Sequence, residues 1–106
     1  MEATQIGEKF GLDPNLMADV LNASTGRNNT TEVKLKQFII SKTFNAGFPL
    51  KLMAKDVRTA DSLGHAMGVP IPLADVCADL WDGAAESLGD KADHTAIGLY
   101  IEKMKS

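Results

Sequence analysis

Between Leu50 and Met67 the apolar and small residues recur at helical spacing: Leu50, Met53, Val57, Ala60, Gly64 and Met67. Lys51, Lys55 and Arg58 fall together on another face. This pattern predicts an amphipathic helix opened by Pro49 and stopped at Gly68, with one packing face and one face suited to anions. A second stripe, Leu73, Val76, Cys77, Leu80, Ala84 and Leu88, predicts a helix that starts at Pro72 and closes at Gly89. Asp75, Asp79, Asp82 and Glu86 line its other face, a spacing that reads as solvated charge spread over three turns.

The same reasoning places a helix over Met1 to Phe10 that ends at Gly11. Asp13-Pro14 then caps and opens a second helix, with Leu16, Met17, Val20 and Leu21 on its buried side. After the turn-forming run from Asn22 to Asn28, Asn29 and Glu32 have capping-box spacing for a helix through Gln37 or Ser41. A strand over Gln37 to Ser41 is the alternative, and it would lack a partner. Asp93 is placed to cap a last helix that packs Ile97, Tyr100, Ile101 and Met104. The expectation is an all-α chain, one bundle of five to six helices spanning residues 1–106.

Composition fits one small domain. The chain has 106 residues, 44% of them hydrophobic, with few aromatics, which favours helix packing over sheets. Cys77 is the lone cysteine, so an internal disulfide or CxxC clip is excluded. His65 and His94 form no HxxxH or HExxH pair, so no metal site is expected. No apolar run approaches the roughly 20 residues a membrane span needs, and no charged-then-apolar leader opens the chain. These features predict a soluble protein of a reducing compartment, the cytoplasm, without membrane contact.

Charge is unevenly spread. Residues 27–58 hold seven basic and two acidic side chains, a local surplus of five in a chain of net charge −3. Such a field can steer an anionic cofactor or a carboxylate, or can be ordinary solvated charge. The overall acidic balance, and the lack of a helix dense in Arg, Asn and Gln, argue against nucleic-acid binding. Gly47 suits a positive backbone dihedral before the central helix, with Phe44 and Phe48 anchoring that turn. Neither histidine has a nucleophile-base partner at a recognisable spacing, and Ser24 and Ser41 lie in no nucleophile elbow.

The run Phe44-Asn45-Ala46-Gly47-Phe48, followed by Leu52, Lys55 and Asp56, resembles the F-x-x-G-F-x-x-x-L-x-x-K-D segment of the β-hydroxyacid dehydrogenases, the group of 3-hydroxyisobutyrate dehydrogenase. Gly11-Leu12-Asp13-Pro14, Ala66 to Leu73 and Asp93-His94-Thr95-Ala96 extend the likeness in the same order. It implies the all-helical C-terminal domain of that family, resembling the C-terminal domain of 6-phosphogluconate dehydrogenase. The N-terminal Rossmann domain would then be missing, since no GxGxxG follows a strand-like run and no copy of the family's lysine helix is present.

By the same resemblance, NAD or NADP is the cofactor and a small hydroxy acid such as 3-hydroxyisobutyrate or tartronate semialdehyde the substrate. Lys55 would contact the dinucleotide as a binding group, with hydride transfer left to the cofactor. Phe48 would border the nicotinamide or substrate pocket, or simply anchor the turn. Asp56 would orient its neighbours or pair with a base. Where many relatives carry a G-x-S-x-S-W-like segment, this chain has Ala23 to Thr31, and Arg27 there could offer a carboxylate fork. No catalytic residue is expected within the chain, which should be inactive alone and pack as a homodimer or homotetramer. The alternative is a free-standing helical module that self-associates or binds a partner without catalysis.

Overall fold

The computed structural model describes residues 2–104. Helix α1 spans Glu2–Lys9 and α2 spans Pro14–Asn22; a π-helix follows at Thr30–Ile40. The two long helices are α3, Leu50–Ala66, and α4, Pro72–Leu88; a 3-10 turn at His94–Ala96 leads into α5, Ile97–Lys103. The described residues are all-helical, with a single isolated bridge between Pro49 and Asp93. None of their helices is long and apolar enough to cross a membrane.

Local chemistry sets most of the boundaries. Gly11, Gly68 and Gly89 take the positive φ that ends a helix. Asp13 caps α2 by accepting the Asn15 N–H at 2.8 Å, with Pro14 inside the first turn. Pro49 itself is the residue before α3, with ψ 134°, rather than its first helical residue.

The capping box of the π-helix lies one residue earlier than expected. Asn28 Oδ1 accepts the Thr31 N–H at 3.0 Å and Thr31 Oγ1 accepts the Asn28 N–H at 2.9 Å, whereas Asn29 makes no side-chain cap. The reason is that the helical bonding already begins at Asn28, whose carbonyl accepts the Glu32 N–H at 3.0 Å. The possible strand at Gln37–Ser41 is instead the end and cap of this helix, where its backbone groups find partners that an isolated strand lacks.

Two small cores organise the chain. Ala18, Leu35 and Ile39 form one; Leu50, Ala84 and Ala96 form the other. Phe44 packs against both, and does so from φ 46°, a left-handed backbone unusual for a bulky side chain. A strained non-glycine residue is therefore the joint between the cores.

Helices α3 and α4 run antiparallel, with His65 opposite Asp75 and Arg58 opposite Asp79 and Asp82. Ile71 of their connection packs on Gly64, where a Cβ would lie 2.6 Å from its Cδ1. The predicted stripes hold in part: Leu50 and Ala84 are buried in the core as expected, with Leu88 packed against them, but the facing surfaces otherwise differ. Ala54 and Asp61 are buried on α3, while Ala60 and Met67 are exposed. Ala78 and Ala84 are buried on α4, while Leu73 and Val76 are 81% and 68% exposed and Cys77 is exposed. Small alanines let the two helices approach closely, and Asp75, Asp79 and Asp82 turn towards α3 because Arg58 and His65 are there. Three members of the acidic row, Asp75, Asp79 and Asp82, thus pair with α3, while Glu86 stays exposed as expected. On α2, likewise, Ala18 is buried and Leu16 and Val20 are exposed.

Candidate functional site

The aromatic-glycine turn and the Asp93-His94-Thr95 segment, 45 residues apart in sequence, form one corner. Gly47 adopts φ 104°, which aims its N–H and that of Phe48 at Asp93 Oδ1, at 2.8 and 3.2 Å. The other carboxylate oxygen accepts the Thr95 N–H at 3.0 Å and the Thr95 hydroxyl. Partial burial pushes the Asp93 carboxyl up, but the bonds from Thr95, Gly47 and Ala46 outweigh it and hold the pKa at about 2.

Backbone pairing completes the corner. The His94 N–H donates to the Phe48 carbonyl at 2.7 Å, and the Leu50 N–H, free at the start of α3, donates to the Ala92 carbonyl at 2.9 Å. The His94 ring meets Phe48 edge to face at 5.7 Å, with its Nδ1 3.2 Å from the Phe48 carbonyl oxygen. His94 thus engages the turn through both its N–H and its ring, and Asp93 does more than cap a helix: it orients the start of α3.

From that start, α3 carries Leu52 and Lys55, three positions apart and both exposed, while exposed Phe48 lies in the turn just before the helix. Lys55 is exposed and makes no ion pair among the described residues; the same holds for Asp56. No basic residue stands three or four positions from Asp56 on α3, so the pairing with a base is not seen among the described residues. Lys51 lies 3.8 Å from Asp90. Arg27 lies on the α2 to π-helix loop, 3.8 Å from Glu32 with both side chains exposed. Phe48, before α3, and Lys55, on it, are both exposed, and among the described residues Arg27 contacts neither.

Arg58 leaves the predicted basic face altogether. Its guanidinium donates to Asp79 at 2.8 Å, to Asp82 at 2.7 and 2.9 Å, and to Asp61 at 3.0 Å, which raises its pKa through the bonds to Asp79 and Asp82. Beside it, His65 Nε2 lies 2.5 Å from Asp75 Oδ1 and 3.8 Å from Asp61 Oδ1. The Asp75 contact raises the His65 pKa, and His65 lowers that of Asp75. Proximity to Asp75, together with burial, raises that of Asp61.

Ligand atoms of Asp61, His65 and Asp75 lie within 4.8 Å of one another, a juxtaposition that the motif spacing did not anticipate. Motif spacing missed it because the donors come from two helices; only Asp61 and His65, four apart on α3, left a local trace.

Between the π-helix and the α3–α4 pair lies a groove of about 590 Å³, lined by Leu35, Met53, Leu80, Trp81, Thr95 and Ile97 among others. Lys55, Phe48, Asp56 and Arg27 do not line it. Trp81 packs at its edge against the second core.

Residues 1–101 match the family described as "NAD-binding of NADP-dependent 3-hydroxyisobutyrate dehydrogenase". The chain belongs to this family. Its members' cofactor is NAD(P), which accords with the expectation from sequence. Over 104 residues the chain is 34% identical to the 2-(hydroxymethyl)glutarate dehydrogenase of Eubacterium barkeri, a match covering 97% of this chain and 34% of that protein. It is 29% identical over 103 residues to the 2-hydroxy-3-oxopropionate reductase of Escherichia coli, covering 97% and 35%. The solved structure of Mycobacterium tuberculosis 3-hydroxyisobutyrate dehydrogenase with L-serine superposes with a TM-score of 0.83 at 26% identity, covering 94% of this chain and 36% of that one. The chain thus spans about a third of the length of the relatives it matches.

Proposed function

We propose that residues 1–106 are the C-terminal, substrate-side and subunit-contact domain of an NAD(P)-dependent β-hydroxyacid dehydrogenase, with the fold of the 6-phosphogluconate dehydrogenase C-terminal domain. In this reading the cytoplasmic enzyme transfers hydride between nicotinamide and a small hydroxy acid. A Rossmann domain outside these residues supplies the dinucleotide fold and the catalytic lysine, and the 106-residue segment alone does not turn over.

The observation that carries the proposal is the start of α3, where the Asp93 corner fixes the Phe48 turn and exposed Leu52 and Lys55 follow on the helix. An exposed ring and an exposed, unpaired ammonium suit the nicotinamide end of a dinucleotide, where a point charge meets ribose or phosphate oxygens. In the intact enzyme, exposed Asp56 beside Lys55, and Arg27, would border the cleft formed with the Rossmann domain. Exposed apolar side chains on α2 and α4, including Leu16, Val20, Leu73 and Val76, supply surface for the other domain and for a homodimer or homotetramer.

The test uses the natural polypeptide at its full length. Lys55→Ala should raise the KM for NADPH or NADH at least about tenfold, roughly 1.4 kcal/mol of binding, with an unchanged melting temperature. An unaltered cofactor KM would refute the role of Lys55. The exposed apolar faces also favour a second reading, a helical module that self-associates without catalysis. A natural polypeptide that associates but binds no dinucleotide would select it.

A further inference from the structure

We propose that Asp61, His65 and Asp75 form a binding site for a zinc-like divalent cation that clips α3 to α4. This lies apart from the cofactor face and does not depend on the proposed dehydrogenase role. The main observation is Asp61, 3% exposed, whose Oδ2 is held by Arg58 at 3.0 Å while its buried Oδ1 has no hydrogen-bond partner. That oxygen points to His65 Nε2, 3.8 Å away, and Asp75 Oδ1 approaches the same nitrogen from α4 at 2.5 Å. A buried acceptor left unpaired is costly, and a cation satisfies it directly.

Charge balance points the same way. Asp61, Asp75, Asp79 and Asp82 surround one guanidinium and one imidazole, so the cluster stays negative whether or not the imidazole is protonated. Arg58 is already shared among Asp61, Asp79 and Asp82 and leaves Asp75 to His65.

One imidazole and two carboxylates are a donor set for zinc or a neighbouring transition metal, with water in the fourth position. Calcium, which takes six to eight oxygens, fits it poorly. Tetrahedral zinc at about 2.0–2.2 Å from each donor holds donors roughly 3.3 Å apart, between the two separations seen at His65. Small side-chain rotations suffice, because the His65 and Asp75 side chains are 59% and 43% exposed.

Titration calorimetry of the chain with zinc chloride, with calcium chloride as comparison, tests the site. One zinc per chain should bind and raise the melting temperature, since the cation favours the folded state alone. His65→Gln and Asp75→Asn alter exposed side chains, so their folding is checkable by circular dichroism. Each should weaken zinc by at least the roughly 10–100-fold known for loss of mere supporting groups around a metal. Cys77→Ser should bind as the parent does, and imidazole NMR signals should shift for His65 and not for His94. The proposal fails if zinc shows no saturable binding below about 1 mM, if either folded variant retains parental affinity, or if the shifted histidine is His94. Lone proton sharing between Asp61 and Asp75 would then account for the cluster.

Discussion

Asp93 and Asp61 are both withdrawn from solvent, with side chains 10% and 4% exposed, yet their surroundings are opposite in kind. Asp93 is met by donors: two backbone N–H groups from the glycine turn and the N–H and hydroxyl of Thr95. Asp61 is met by one guanidinium on one oxygen and by further carboxylates beyond it. The first environment favours the charged form and holds the pKa near about 2; the second disfavours it. Similar burial therefore yields a fully satisfied carboxylate in one place and one with an unpartnered oxygen in the other. What surrounds a buried carboxylate decides whether it serves as structure or as a site.

The largest expected effect breaks the Asp93 lock. Asp93→Ala removes a helix cap and leaves the Gly47 and Phe48 N–H groups without their acceptor, which should cost about 3 kcal/mol in urea unfolding. A loss below about 1 kcal/mol would mean that water replaces the carboxylate freely. In that case the contrast with Asp61 is one of appearance only.

Acid should reveal the same lock at a slightly smaller magnitude. A carboxyl depressed in the folded state adds stability that is complete above its unfolded value of about 3.9 and is lost as pH falls through about 2. Up to about 2.5 kcal/mol of stability should disappear across that window, and Asp93→Asn should flatten this part of the profile. Parallel profiles for the parent and the Asn variant would count against the assignment.

The smallest effect sharpens the other side. Arg58→Gln leaves the Asp61, Asp79 and Asp82 carboxylates without their shared counter-ion, so the melting temperature should drop at low salt and recover with added sodium chloride. The parent should respond less to salt than the variant does. Equal salt responses would show that Arg58 does not hold this cluster together.

Much of this arrangement was readable from the chain before folding. The punctuation of helices by Gly11, Gly68 and Gly89, the Asp13-Pro14 entry and the Asp93 cap are properties of a residue and its immediate neighbours, and they hold. So does the positive dihedral at Gly47. Face assignments fared worse. Transfer energy alone places the Leu73–Val76–Cys77 side of α4 in the core, because leucine and valine outrank alanine and aspartate. In the fold, that side is exposed and Ala78 packs inward.

By itself, then, the sequence determined the helical class, the places where helices start and stop, and the family, because these rest on local torsional preference and ordered motifs. Tertiary structure alone decided which side of α4 meets α3. It also took Arg58 out of the basic face, joined Gly47 to Asp93, and gathered Asp61, His65 and Asp75. Those outcomes depend on contacts between residues far apart in the chain. Close helix approach and charge pairing there compete with hydrophobicity, and periodicity along one helix carries no information about its partner.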